Sequence, residues 1–114
     1  MKDRDNHEAE LSIVIAAFNE EEGIGVVLEA LCAAMPDSEI IVVDDGSSDR
    51  TAEVASRFAG VRVIQHAFNG GQGSGLKTGM RMATRPLVAW FDADNEHRVE
   101  DLRQMLEIIN TNRL

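Results

Sequence analysis

Four short, nearly continuous apolar runs punctuate this chain, and their spacing restricts its fold more than any other feature. They are Leu11–Ala17 (LSIVIAA), Glu39–Val43 (EIIVV), Val61–Gln65 and Leu87–Phe91 (LVAWF). Runs of this length without polar alternation suit strands covered on both faces. Between them lie segments with helical periodicity. The first, about 20 to 35, carries Ile24, Val27, Leu28, Leu31 and Met35 on one stripe, and Asn19 with Glu22 has capping-box spacing at its start. Gly23 and Gly25 sit in its first turns, each costing about 1 kcal/mol against Ala. A second helix is expected over about 50 to 59 with Val54 and Phe58 inward. A third has Leu76, Met80 and Ala83 inward with Lys77 and Arg81 outward. A fourth is expected over about 99 to 110 with Leu102, Leu106 and Ile109 inward. The order β-α-β-α-β-α-β-α implies an α/β fold: a Rossmann-like parallel sheet with right-handed crossovers and helices on both faces.

Ligands on such sheets bind at the carboxyl ends of the strands, near the switch in strand order. That rule puts Phe18–Glu20, Asp44–Ser47, His66–Gly75 and Asp92–His97 on one rim, and the polar and Gly-rich residues concentrate there. Residues 1–10 are polar and aperiodic and read as a flexible leader, leaving 11–114 as one domain.

Composition narrows the function. Eleven Lys and Arg against twenty Asp and Glu give a formal charge of -9, which disfavours nucleic acid as a partner. Cys32, the single cysteine, rules out an internal disulfide or a Cys-based zinc site and reads as a small buried packing residue. No segment reaches the roughly 18–20 apolar residues of a membrane span, and the N-terminus is too acidic for a signal peptide. A cytoplasmic location is the expectation.

Asp92-Ala93-Asp94 is the sharpest chemical feature. Residues i and i+2 of a strand face one side, so two carboxylates converge at a strand terminus, with Glu96 two further on. Like charges so close call for a proton or a cation between them, and oxygen-only donors suit Mg²⁺ or Mn²⁺. The alternative is that Asp94 or Asn95 starts a turn and caps the last helix; the apolar strand before it and the shared rim favour the cation. Asp44-Asp45-Gly46-Ser47 offers an acid for a ribose hydroxyl or a base N–H, with the other acid supporting the loop.

The loop NGGQGSGLKTG mimics two phosphate motifs without matching either. Leu76 intrudes before Lys77-Thr78 where a P-loop needs its Lys directly after Gly75, and it also stands where a dinucleotide fingerprint needs its third glycine. A loop approaching phosphate at a helix N-terminus remains. His66 and His97 share the rim without metal-ligand spacing and read as surface histidines, while Trp90 and Phe91 read as core.

In order, SIVIAAFNEEEGI, EIIVVDDGSSDRTAEVA, NGGQGSGLKTGMRMA and LVAWFDADNEHRVEDL resemble family 2 glycosyltransferases of the GT-A fold. The likeness is greatest to the polyprenol-phosphate branch, the dolichol-phosphate mannosyltransferase-like enzymes, and covers about residues 11–107. It implies inverting transfer of a sugar from a GDP- or UDP-linked donor, with polyprenyl phosphate the branch-level acceptor at a membrane surface. Ala16, Ala17, Phe18, Asn19 and Glu20 match the strand exit that contacts the nucleoside. Asp45 matches the acid that reads the base, with Asp44 and Gly46 beside it. Asn69, Gln72 and Gly73 fall in the loop near ribose and diphosphate, and Asp92 and Ala93 in the DxD segment. Asp92, Asp94 and Glu96 match positions used at the metal.

Ala16 stands where the family often has Pro, and Gln72 where many members have Lys. Relatives continue well past Leu114, so the resemblance implies the donor-binding half, with acceptor residues and any general base outside this chain. Two other readings stay open: a P-loop-like nucleotide hydrolase, and a non-catalytic α/β interaction module. Homo-oligomerisation is also open.

Overall fold

A computed structural model describes residues 7–93. Four parallel strands, β1 (Leu11–Ala17), β2 (Glu39–Asp44), β3 (Arg62–Gln65) and β4 (Leu87–Trp90), form one sheet in the order β3-β2-β1-β4. Val14 pairs with Ile41 on one side and Trp90 on the other, which makes β1 an inner strand. The connections are α1 (Glu21–Ala34), α2 (Thr51–Ala55) and α3 (Gln72–Met82). The chain steps from β1 outward to β2 and β3, then returns past β1 to β4. Right-handed crossovers in opposite directions place their helices on opposite faces.

Alternation along the strands builds the two cores. Ile13, Ile15, Ile40, Val42 and Ala89 pack with Ile24, Val27, Leu28 and Leu31 of α1. Val14, Ile41 and Val43 are equally buried on the other face, where α3 lies on β1 and β2. That helix corrects the expected pattern. Its inward residues are Gly75 and Gly79, and Met80 is 61% exposed. A Cβ on Gly79 would lie 2.1 Å from Val14 Cγ1, and one on Gly75 would lie 2.9 Å from Ala16 Cβ. The helix sits against the sheet because these positions carry no side chain.

Other boundaries also move. The first helix begins at Glu21, and Asn19 supplies no side-chain cap. The second is a single five-residue turn, although Val54 and Phe58 pack against the core as expected. Trp90, expected in the core, is 49% exposed, while Phe91 is buried. Val88 and Trp90 point to the face opposite Ala89 and Phe91 by strand alternation. Cys32 is only partly buried, and burial raises its thiol pKa. The end of the expected leader is structured: His7–Glu10 form a 3-10 turn. Asp37 N–H donates to Glu8 Oε1 at 3.4 Å, and Arg85 Nη1 donates to the Ala9 carbonyl at 2.6 Å. The expected fourth helix lies outside the described residues.

At the amino ends of the strands, Glu39 gathers four donors. Ser12 Oγ donates at 2.6 Å, Thr84 N–H at 2.9 Å, Thr84 Oγ1 at 3.1 Å and Arg62 Nη1 at 3.0 Å. Burial alone would raise this carboxyl, but the hydrogen bonds outweigh it and hold the pKa at about 2. The cluster ties β1, β2, β3 and the α3–β4 turn together.

Three substitutions check this packing and the Glu39 cluster. Gly79→Ala should destabilise by about 1–3 kcal/mol, because Val14 is fully buried and has no room to yield. Gly73→Ala, whose Cβ meets nothing within 4 Å, should leave the melting temperature unchanged or raise it. Glu39→Gln should cost about 1.5–3 kcal/mol at neutral pH. Glu39 has a lowered folded pKa, so its contribution is complete above the unfolded value of about 4.5 and fades as pH falls towards 2. The difference in melting temperature between wild type and Glu39→Gln should therefore shrink over that interval.

Candidate functional site

Three loops and the exit of β4 meet at the carboxyl ends of the strands. The loops after β1 and β2 bind each other through a run of hydrogen bonds. Asn19 has a φ of 53°, a left-handed conformation that Asn tolerates better than most residues. Its N–H donates to Ser47 Oγ at 2.8 Å, and its Oδ1 accepts from Ser48 N–H at 2.9 Å. Next, Glu20 N–H donates to Thr51 Oγ1 at 2.8 Å, and Glu21 N–H donates to Asp49 Oδ2 at 3.2 Å. Arg50 N–H returns a bond to Glu21 Oε1 at 2.9 Å. The N–H groups of the cap residue Glu20 and of Glu21, the first residue of α1, are thus bound by the neighbouring loop rather than by the Asn19 side chain. Thr51 Oγ1 also donates to Asp49 Oδ1. Burial opposes ionisation of Asp49, but the bonds from Thr51 and Glu21 prevail and lower its pKa.

The acid pair after β2 divides its work. Asp44 Oδ1 accepts from Ser47 N–H at 3.1 Å, closing its own turn. Asp45, with a side chain only 3% exposed, reaches the loop after β3 instead. Its carboxylate accepts from Gly70 N–H at 3.0 and 3.1 Å, from Gly71 N–H at 2.7 Å, and pairs with His66 Nδ1 at 2.8 Å. Desolvation would raise this carboxyl, but the bonds from Gly70, His66 and Gly71 carry it below the ordinary value. Gly46 lets the two loops approach: its φ is 77°, and a Cβ there would stand 2.7 Å from the Asn69 nitrogen.

These segments enclose an open cavity of about 360 Å³. Ala16, Ala17, Phe18 and Glu20 line it from the end of β1 and its loop, and Asp45 from the loop after β2. Asn69, Gly71 and Gln72 form the third wall, and Asp92 and Ala93 follow β4. Most of the expected nucleotide-binding residues therefore converge. Asn19, Asp44, Gly46 and Gly73 do not line the cavity. The first three shape the loops, and Gly73 lies in the first turn of α3. Gly-rich residues 72–75, expected as loop, are helical because the turn of α3 begins at Gln72.

His66, expected at the surface, is a partly buried bridge: its side chain is 20% exposed, and Nε2 lies 2.8 Å from Thr78 Oγ1. Its position directly after β3 was the available signal. Its partners are distant in sequence and left no local trace.

For the cation, Asp92 presents a hard oxygen donor at the cavity wall, the donor type Mg²⁺ and Mn²⁺ prefer. Asp94, Glu96 and His97 lie outside the described residues. Among the described residues, no three His, Cys, Asp or Glu side chains group as a metal site.

The strand order, helices on both faces and cavity at the strand ends define a Rossmann-like α/β protein, and the solved structures that share this fold are GT-A glycosyltransferases. The chain belongs to Glycosyl transferase family 2, whose family model matches residues 12–114. It is 34% identical over 101 residues to a dolichyl-phosphate hexose transferase of Haloferax volcanii, covering 89% of this chain and 43% of that relative. The chain thus spans less than half of that relative's length. A mannosyltransferase from Pyrobaculum calidifontis, solved with GDP-Man and Mn²⁺, superposes with a TM-score of 0.76 at 22% identity, over 89% of this chain and 31% of that one. Glucosyl-3-phosphoglycerate synthase from Mycobacterium tuberculosis, solved with Mn²⁺, UDP and glucosyl-3-phosphoglycerate, gives a TM-score of 0.67 at 25% identity. That match covers 78% of this chain and 36% of the synthase.

Loop coupling predicts a specific loss. Thr51→Val keeps the volume but removes the acceptor for Glu20 N–H and the donor to Asp49, so unfolding free energy should fall by about 1–2 kcal/mol. Thr51→Ser should recover most of it in a denaturant titration.

Proposed function

We propose that this chain binds a GDP- or UDP-linked sugar in the cavity and serves its transfer, with inversion, to an acceptor. The observation carrying this reading is the convergence of the β1 exit, Asp45, the Gly-rich loop and Asp92 around one space of about 360 Å³. That volume falls within the roughly 300–1,000 Å³ of small-molecule sites. The ligands named for the synthase of Mycobacterium tuberculosis, Mn²⁺ and UDP, support a nucleotide diphosphate with a divalent cation.

In this reading the β1 exit and the Gly-rich loop orient the nucleotide, and Asp92, together with Asp94 and Glu96, would hold the cation. A Mg²⁺ or Mn²⁺ bound there would supply the positive charge that offsets charge developing on the departing diphosphate. An acceptor oxygen forms the new bond to the anomeric carbon as the bond to the diphosphate oxygen breaks, on the opposite side of the sugar. The dolichyl-phosphate hexose transferase supports a polyprenyl phosphate as acceptor. Such an acceptor would put the work at a membrane surface; no helix among the described residues is long and apolar enough to cross one. No residue of this chain is assigned as general base.

The Gly-rich loop does not favour the P-loop reading. The amides of Gly70 and Gly71, which a phosphate cradle would aim at its ligand, are turned onto Asp45.

Thermal shift with GDP, UDP and ATP, each with and without Mn²⁺, tests the proposal. GDP or UDP should raise the melting temperature in a Mn²⁺-dependent manner, and Asp92→Ala and Asp94→Ala should each abolish that dependence. No shift with either nucleotide would refute the reading, and a preference for ATP would restore the P-loop alternative.

A further inference from the structure

His66 does not line the cavity, yet it joins three elements that shape it. Its ring lies between Asp45, in the loop after β2, and Thr78, in α3, at 2.8 Å from each. An ionised carboxylate only accepts, so Nδ1 carries a hydrogen; in the neutral ring, Nε2 then accepts from the Thr78 hydroxyl. This fixes the ring at both ends. The ring in turn supplies one of the donors that hold the Asp45 carboxylate, the others being Gly70 and Gly71 N–H. Asn69 Nδ2 adds a bond to the Asp45 carbonyl at 3.2 Å.

We infer that His66 is a positioning residue of the nucleotide site, acting through Asp45 to hold the segment from Asn69 to Gln72 in its cavity-lining conformation. The inference rests on the nucleotide reading given above. Gly70 and Gly71 give this segment high conformational entropy when untethered. Its order depends on the bonds to Asp45, and the orientation of that buried carboxylate depends on the imidazole. Losing the Nδ1 contact lowers the fraction of molecules with the wall formed, and apparent affinity falls by that fraction.

The two ring nitrogens can be replaced separately. Asn at position 66 puts an amide nitrogen near the place of Nδ1, and Gln puts one near that of Nε2. His66→Asn, His66→Gln and His66→Ala should be compared by hydrogen exchange of the Gly70 and Gly71 amides in the ligand-free chain. GDP and UDP affinities with Mn²⁺ and melting temperatures complete the comparison. His66→Ala and His66→Gln should speed exchange at both glycines and weaken the tighter nucleotide on the order of tenfold, while His66→Asn restores both readouts. Equal behaviour of the Asn and Gln variants, unchanged glycine exchange in His66→Ala, or affinities that follow melting temperature alone would each overturn the role. If wild type binds neither nucleotide, the functional reading falls and this role with it. If wild type binds but glycine exchange ignores position 66, the positioning role alone falls.

Discussion

Burial of β1 on both faces, with a paired strand on either side, is the constraint from which the rest of the structure follows. Its backbone is satisfied by β2 and β4, and its side chains alternate between the α1 core and the α3 face. A strand so enclosed has nowhere to slip, because a one-residue shift would exchange its two faces. Its exit at Ala17 is therefore fixed, and the walls of the cavity are placed relative to it. Asp45 N–H donates to the Ala17 carbonyl at 2.8 Å, which continues the β1–β2 ladder into the loop that carries the central acid.

On the other face, the helix that bears the Gly-rich segment is held by shape rather than by large side chains. Gly75 and Gly79 bring its backbone down onto Ala16, Val43 and Val14. That contact sets the height of the helix's first turn above the sheet, and so the place of Gln72 at the cavity. Packing at one end and the Asp45–His66 bonds at the other fix the segment between them.

What could be read in the residues follows from the kind of signal each element leaves. The strands were legible because a doubly buried strand writes a continuous apolar run, and their parallel order followed from alternation with helices. The convergence of Ala16, Ala17, Phe18, Glu20, Asp45, Asn69 and Asp92 is legible too, since each ends or follows such a run. The inner face of α3 is not legible because glycine leaves no hydropathy signal, and the apolar spacing points Met80 inward instead. Local spacing marks Asn19 as a cap, whereas its bonds run to Ser47 and Ser48 in another loop. His66 was missed for the same reason: pairing across more than ten residues is set by topology and has no periodicity.

The Glu39 cluster and the cavity occupy opposite ends of the same strands. Seven residues of β1 separate them, a rise of about 20 Å. At that distance, with no shared partners, changes at the two ends should combine additively. The scaffold can then drift or be hardened at Ser12, Arg62 and Thr84 without retuning the ligand end. Conversely, substitutions around the cavity need not be offset by loss of folding. The sheet acts as an insulator between durability and selectivity, and such separation leaves one framework free to acquire many specificities.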